Sequence, residues 1–327
     1  MDIIKILKES KKLPLVGEIR NYYILIFFLL ILYIITKNVL IGLICGFSIL
    51  TFFFYEIYEG IKNHGIKKEL VEILVAVLAA FLIYNFIGLL LNTPTPISAI
   101  VSCSMLPHYN RGDLVIIGNW ELNTISLNYN KELEKEMQKV EVYYKDKQIP
   151  INTSIYLYCS QNPLNEFCQK FIYSEPENFY EKIGPLKIDY KMCKKINLST
   201  KNIINLPCVN STYFENRLIQ INKNSDLIVY NPKKKNGEIE QIDIIHRLVF
   251  IVNSTDGVYY FTKGDNNPIY DFQYYLHSQR NYLIKKDQIK GKLLLSIPYI
   301  GNLKLVITPQ VLLLDEIQTG CWGYFLE

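Results

Sequence analysis

Charge of one sign is scarce: 35 Lys and Arg against 31 Asp and Glu leave a formal +4 over 327 residues. So small and mixed a balance makes no nucleic-acid footprint, and no DNA or RNA partner is expected. Histidine is rarer still, with four residues, so chemistry that needs an imidazole has few places to reside. Seven cysteines are too few for a small disulfide knot, and a 50% apolar composition excludes a disordered chain. No cysteine pair has the short C-x2-C spacing of a structural zinc site. There is no internal repeat, and no small-residue cleavage site follows the first basic region, which argues against a removed leader.

What is present is concentrated. A mean hydropathy of +0.10 in a chain rich in Lys, Glu, Asp and Asn requires apolar residues gathered into segments, and most lie before Asn92. Residues 22–35 and 39–55 are separated only by Thr36-Lys37-Asn38 and read as a tight helical hairpin, with one long bent helix as the alternative. Residues 71–91 are a better span, charged only at Glu72. The expectation is a membrane anchor over 1–91 with three transmembrane helices near 22–36, 39–55 and 71–91. Lys5, Lys8, Lys11, Lys12 and Arg20 precede the first block, and Lys62, Lys67 and Lys68 precede the last, which makes both regions cytoplasmic and exports everything after Asn92. Merging the hairpin into one span would instead leave the N-terminus outside.

After Asn92 the texture changes to short β-branched and aromatic runs punctuated by Gly, Pro, Asn and Asp, which predicts a mainly β domain. The clearest strands are 114–117, 227–230, 244–252 and 258–262, with 253–257 (NSTDG) as the turn between the last two. Residues 119–223 read as an inserted α+β subdomain between two pieces of β domain, 92–118 and 224–309, with 310–327 as a C-terminal tail. The insertion holds Cys159, Cys168, Cys193 and Cys208, which on the exported side predicts two disulfides with three pairings open. Its one convincing helix is 132–140 (ELEKEMQKV). Asn152, Asn197, Asn210 and Asn253 begin N-x-Ser/Thr sequons, a pattern that an Asn-rich chain also produces by chance.

Ser102-Cys103-Ser104-Met105-Leu106-Pro107 starts about a dozen residues after the last apolar block and leads into Arg111-Gly112-Asp113-Leu114-Val115. Ordinary turn chemistry explains two serines before a proline. A nucleophilic serine would need a base. His64 falls on the cytoplasmic side, His277 lies in a polar stretch, and His108 is too close in sequence to reach Ser104 easily. His246 interrupts the apolar run 244–252, where a polar side chain must find a partner, either backbone or a catalytic group. If 253–257 is a five-residue loop, Val252 faces Val258 and His246 faces Gly264. That brings Asp265, and after a Gly-Asn-Pro turn Asp271, beside the imidazole; either carboxylate could orient it.

In this order the boxes SxSMxP, RGDLV, IIHRLV, TKGDNNxxxxD, Gly291-Lys292 and Ile297-Pro298-Tyr299-Ile300-Gly301 resemble the type I signal peptidases, in their archaeal and endoplasmic-reticulum form. The resemblance covers the last apolar block, about 94–119, and 224 to roughly 305; the insertion, the first helical pair and the tail lie outside it. It implies a membrane-anchored, mainly β signal-peptidase-like domain and a serine endopeptidase that removes signal peptides from exported preproteins, cutting after small residues. It implies Ser104 as nucleophile, His246 as general base, Asp271 as the triad acid with Asp265 as a supporting aspartate, and the Ser102 hydroxyl with the Ser104 N–H as receivers of the oxyanion. No cofactor or metal is implied; the implied partners are preproteins, the lipid bilayer and the secretion translocon, and the implied location is a cell or endoplasmic-reticulum membrane with the catalytic domain on the far side. Cys103 between the serines, His108 after the proline and Ser225-Asp226 depart from the family pattern without removing a catalytic group. Two rivals remain: Lys263 as base, and a noncatalytic membrane receptor or complex subunit on a peptidase scaffold. A processing peptidase for prepilin-like or self-cleaved substrates would share the chemistry.

Overall fold

The computed structural model describes residues 12–13, 17–36, 39–119, 121–234, 238–240, 242–275, 283–298, 300–301, 321 and 323–326. It divides into two compact units, Met1–Phe86 and Ile87–Glu327.

The first unit is helical: α1 (Ile19–Thr36), α2 (Val39–His64) and α3 (Ile66–Leu90). The first two helices pack on each other: the Tyr22 hydroxyl donates to the Ser48 carbonyl at 2.9 Å, and the rings of Tyr22 and Tyr23 pack on Phe52 at 5.2 and 4.8 Å. The second helix runs to His64 rather than stopping near residue 55. Glu56 to Lys62 continues it, and Asn63 donates to Glu59 one turn back. The basic loop expected before the third helix therefore contracts to Gly65, at φ +79°. Of the three helices, Ile44–His64 and Ile66–Leu90 are long and apolar enough to cross a membrane; the described apolar part of α1, Tyr22–Leu32, is shorter than a span. No described residue of α3 is buried: Leu74, Phe81 and Leu89 are among its exposed apolar side chains.

The second unit begins with β1 (Ile97–Ala99) and β2 (Leu114–Gly118). Residues 119–223 then supply β3 (Ile125–Asn128), α4 (Leu133–Glu136), β4 (Val140–Tyr144), β5 (Lys147–Ile149), α5 (Ile155–Gln161), α6 (Glu166–Tyr173), β6 (Phe179–Ile183), β7 (Leu186–Asn197), β8 (Ile203–Phe214) and β9 (Arg217–Ile219). The chain returns through β10 (Leu227–Tyr230), β11 (Ile244–Ser254), β12 (Gly257–Lys263), α7 (Asp271–Tyr275), β13 (Ile284–Lys285), β14 (Ile289–Ile297) and β15 (Gly323–Phe325).

One sheet has the order β13-β12-β11-β10-β14-β2-β1, antiparallel along that path, with β3 pairing parallel to the far half of β11. The run Leu227-Ile228-Val229-Tyr230 is apolar throughout because β10 is covered on both faces: Leu227 and Val229 pack with Ile100, Met105 and Ile245, and Ile228 and Tyr230 with Leu248 and Ile284. The insertion builds a second sheet, β9-β8-β7-β6-β4-β5, which β15 from the chain's far end joins along β7. Its core is continuous with the first sheet's hairpin, since Phe171, Phe179 and Tyr190 share one buried cluster with Phe250, Phe261, Tyr270 and Phe272.

Two local expectations change. The helix at 132–140 shrinks to four residues, because β-branched Val140 and Val142 pair with β6 as a strand instead. The hairpin between β11 and β12 is also tighter than a five-residue loop: Ser254 pairs with Gly257, leaving Thr255-Asp256 as the turn. The Asp256 carboxylate reaches out of that turn to accept the N–H groups of Leu133 and Glu134, each at 3.0 Å, at the start of α4. Partial burial pushes this carboxyl up, but the hydrogen bonds from Ser254, Glu134 and Leu133 outweigh it and bring it down to about 2. An acid with a depressed folded-state pKa stabilises the fold above its ordinary titration range and loses that contribution as pH falls through the folded value. Asp256→Ala should cost about 1 kcal/mol at neutral pH, as loss of a helix cap does. In thermal unfolding, the gap between wild type and variant should close as pH falls from about 4 to 2.

Candidate active site

The serine box forms a loop between β1 and β2. Its base is closed by the Ile100 N–H donating to the Asp113 carbonyl at 2.9 Å and the Gly112 N–H to that of Ile100 at 2.8 Å, with Met105 fully buried beneath. The loop contains a cis Leu106–Pro107 peptide. The KGDNN turn after β12 grips it from outside: the Asn266 N–H donates to the Ser104 carbonyl at 2.7 Å. Gly264 is required there, because a Cβ would stand 2.9 Å from that same Ser104 carbonyl oxygen.

Arg247 pairs with Lys263 across the hairpin, which sets His246 level with Gly264 as the sequence suggests. The agreement has two parts. The turn is shifted by one residue relative to the expected loop, and a bulge at Val249 shifts the register back before it reaches His246.

His246 Nε2 lies 2.8 Å from Ser104 Oγ, and His246 Nδ1 lies 2.6 Å from Asp271 Oδ2. A carboxylate accepts only, so Nδ1 carries the ring proton and the Nε2 lone pair faces the serine hydroxyl. Asp271, at the first position of α7, is 2% exposed, and the hydroxyls of Tyr230 (3.0 Å) and Thr262 (2.5 Å) donate to the same Oδ2. Burial pushes the Asp271 carboxyl up, but the charge that His246 carries when protonated and these three hydrogen bonds hold it below the ordinary carboxylate value. Ser102 Oγ stands 3.0 Å from Ser104 Oγ, and the Ser104 N–H reaches Ser102 Oγ at 3.5 Å.

Asp265 goes elsewhere. Successive strand residues face opposite sides, so His246 and Arg247 diverge, and Asp265 follows the arginine. Its two oxygens take Arg247 Nε and Nη2, each at 2.7 Å, and Oδ2 is 3.0 Å from His108 Nδ1. Arg247 Nη1 donates to the carbonyls of Lys223 and Ser225. Of the two aspartates left open as partners for the imidazole, only Asp271 touches it. The Asp265–Arg247 pair is buried, with side chains 11% and 6% exposed, so removing one member leaves an uncompensated charge. Asp265→Ala should therefore cost about 3 kcal/mol in thermal unfolding.

Lys263, the alternative base, is pushed down to about 8 by burial, with Arg247 pushing the same way and Asp265 and Asp271 opposing. Its ammonium donates to the Gly264 carbonyl at 3.2 Å, whereas the imidazole is the group against Ser104 Oγ. His277 lies outside the described residues. Tyr230, Thr262, Arg247 and Asn266 were not singled out from sequence. Arg247 alone had a local signal, as a second polar residue inside the apolar run 244–252.

Beside the serine runs a cleft of about 370 Å³, lined by Ala99–Ser102, Ser104 and Ile242–His246. β10 covers one edge of Ile244–His246, and among the described residues no strand pairs with the other until Arg247. The floor is fixed by Asp243, which accepts from Lys290 at 2.6 Å and Asn231 at 3.1 Å.

A serine hydroxyl, a neutral imidazole and a buried carboxylate in hydrogen-bonded series form the arrangement used by serine hydrolases. The chain is similar to signal peptidase complex catalytic subunits: that of Clavispora lusitaniae is 33% identical over 86 residues, 26% of this chain and 48% of the relative. Those of Scheffersomyces stipitis and Pyricularia oryzae are each 32% identical, over 89 and 91 residues, covering 27% and 28% of this chain and 50% and 49% of the relatives. The chain thus spans about half the length of the curated relatives it matches. No protein-family model matches it.

Proposed function

We propose that this protein is a membrane-bound serine endopeptidase of the signal peptidase I type, which removes signal peptides from exported preproteins. The observation that carries the reading is the series Ser104 Oγ to His246 Nε2 at 2.8 Å and His246 Nδ1 to Asp271 at 2.6 Å. The similarity to signal peptidase catalytic subunits supports the substrate class. The noncatalytic alternative would need this set to be broken or dispersed.

Substrate enters the cleft as an extended strand along the free edge of Ile244–His246, recognised through its main chain. Alternate side chains of such a strand point the same way, so the first and third residues before the cut meet the same wall, where the family resemblance implies small ones. Ser104 attacks the scissile carbonyl while His246 Nε2 takes its proton. Asp271 holds the ring in the Nδ1–H tautomer and stabilises the imidazolium. The Ser102 hydroxyl and the Ser104 N–H receive the oxyanion; one such donor contributes about 3 kcal/mol to the transition state. His246 then protonates the leaving amine, and water releases the acyl group from Ser104.

The exposed, all-round apolar surface of α3 and the length of α2 support an anchor in the lipid bilayer, with α1 as the third and shortest helix. On the charge distribution, the peptidase domain lies on the extracytoplasmic side of a cell or endoplasmic-reticulum membrane, where preproteins emerge from the secretion translocon. Full-length protein in lipid vesicles should cut a membrane-inserted preprotein once, and N-terminal sequencing should locate the cut after a small residue. Folded protein that leaves several preproteins intact would overturn the reading.

A further inference from the structure

The last described strand of the chain is tied to the nucleophile loop by a disulfide just before it and through one bridging side chain. Cys321 is disulfide-linked to Cys103, which lies between Ser102 and Ser104, across a sequence separation of 218 residues. Asn266, 7% exposed, bridges the two segments: its side-chain amide donates to the carbonyls of Cys103 at 3.0 Å and Gly323 at 2.8 Å, and its Oδ1 accepts the Phe325 N–H at 3.1 Å. The same residue's own N–H holds the Ser104 carbonyl. The other edge of β15 is paired to β7 over Lys195–Asn197, extended by the Leu326 N–H donating to Lys194 and by Lys195 Nζ 5.1 Å from the Phe325 ring centre. Gly323 fits this seat because a Cβ would meet the Ile196 carbonyl oxygen at 1.9 Å.

We propose that β15 is a positioning element for Ser104: through Cys103–Cys321 and Asn266 it ties the nucleophile loop to the insertion sheet and so keeps Ser104 Oγ in register with His246 Nε2. The proposal rests on Ser104 being the nucleophile. It gives residues 119–223 a part in catalysis that touches no substrate. Both amide hydrogens of Asn266 and its carbonyl oxygen are engaged in this arrangement, two of the three bonds running to the tail and one to the loop. Displacement of a reacting group by about 1 Å is enough to cost roughly 100-fold in rate.

The test compares full-length wild type with Cys103→Ala/Cys321→Ala and, separately, with Phe325→Pro, which removes one N–H donor to Asn266 and leaves all six disulfide cysteines in place. Phe325→Leu keeps that donor and serves as the rescue. Preprotein cleavage is measured well below each variant's unfolding midpoint. The expected result is a fall in kcat of about 100-fold for the double cysteine variant, with KM within about twofold, as for any loss of alignment at the reacting atoms. Phe325→Pro should lose kcat about tenfold, and Phe325→Leu should match wild type. A staple that served stability alone would lower the unfolding midpoint and leave kcat unchanged in both, and that result overturns the proposal. Should the cysteine variant fail to fold, the Phe325 pair decides by itself. A wild type that cleaves no preprotein would instead sink the peptidase reading, and this proposal with it.

Discussion

Replacing Ser104 by alanine should reduce preprotein cleavage by roughly 10⁶-fold, to the level that binding and oxyanion stabilisation alone sustain. The expectation follows from the position of Oγ, which lies against His246 Nε2 at 2.8 Å and Ser102 Oγ at 3.0 Å. The fold should survive the change, because the residue's backbone contacts to Asn266 and within the loop do not involve the lost oxygen. An unfolding midpoint equal to wild type, with cleavage abolished, is the outcome to look for; retained cleavage would remove Ser104 from the chemistry.

Asp271→Asn should lower kcat by about 10⁴-fold, equivalent to roughly 5 kcal/mol of transition-state stabilisation. Three donors converge on Asp271 Oδ2: the imidazole Nδ1–H and the hydroxyls of Tyr230 and Thr262. If the asparagine turns its oxygen to them, the hydrogen bonds persist but the charge that stabilises the imidazolium is gone. If it turns its amide, the ring must accept at Nδ1 and carries its proton on Nε2, where it can no longer deprotonate Ser104. Asp265→Ala provides the contrast, since that carboxylate serves Arg247 and His108. Its loss should appear mainly in stability, so a kcat deficit from Asp265→Ala as large as that from Asp271→Asn would contradict the division of labour between the two aspartates.

That division marks the limit of what local pattern reveals. An imidazole inside an apolar strand and a GDNN turn after the next strand are visible as residues, and a hairpin brings them together whichever way the turn closes. Which aspartate meets the ring depends on strand-face alternation and on how α7 starts, and neither is legible in the spacing. The register at His246 agrees with the simple loop only because the bulge at Val249 offsets the tighter Thr255-Asp256 turn. Apolar length located the helices, but not their ends: α2 continues through polar residues whose side chains bond along the helix. In the insertion the two expected disulfides form, and of the three open pairings the structure has Cys159–Cys168 and Cys193–Cys208. Cys103–Cys321 was outside that expectation, since pairing between distant cysteines is set by tertiary contact and leaves no trace in spacing. The same holds for Glu181, Gln273 and Tyr190, whose buried network links the insertion to α7. Residues 302–320, most of the expected boundary between β domain and tail, lie outside the described residues.

The central claim is that Ser104, His246 and Asp271 act as one unit. Its most direct measurement is the cleavage rate of a membrane-inserted preprotein by Ser104→Ala, His246→Ala and the double variant, alongside wild type. Residues that act together are non-additive, so the double variant should cleave no more slowly than either single one. Losses that multiply, or a His246→Ala enzyme close to wild type, would contradict the account.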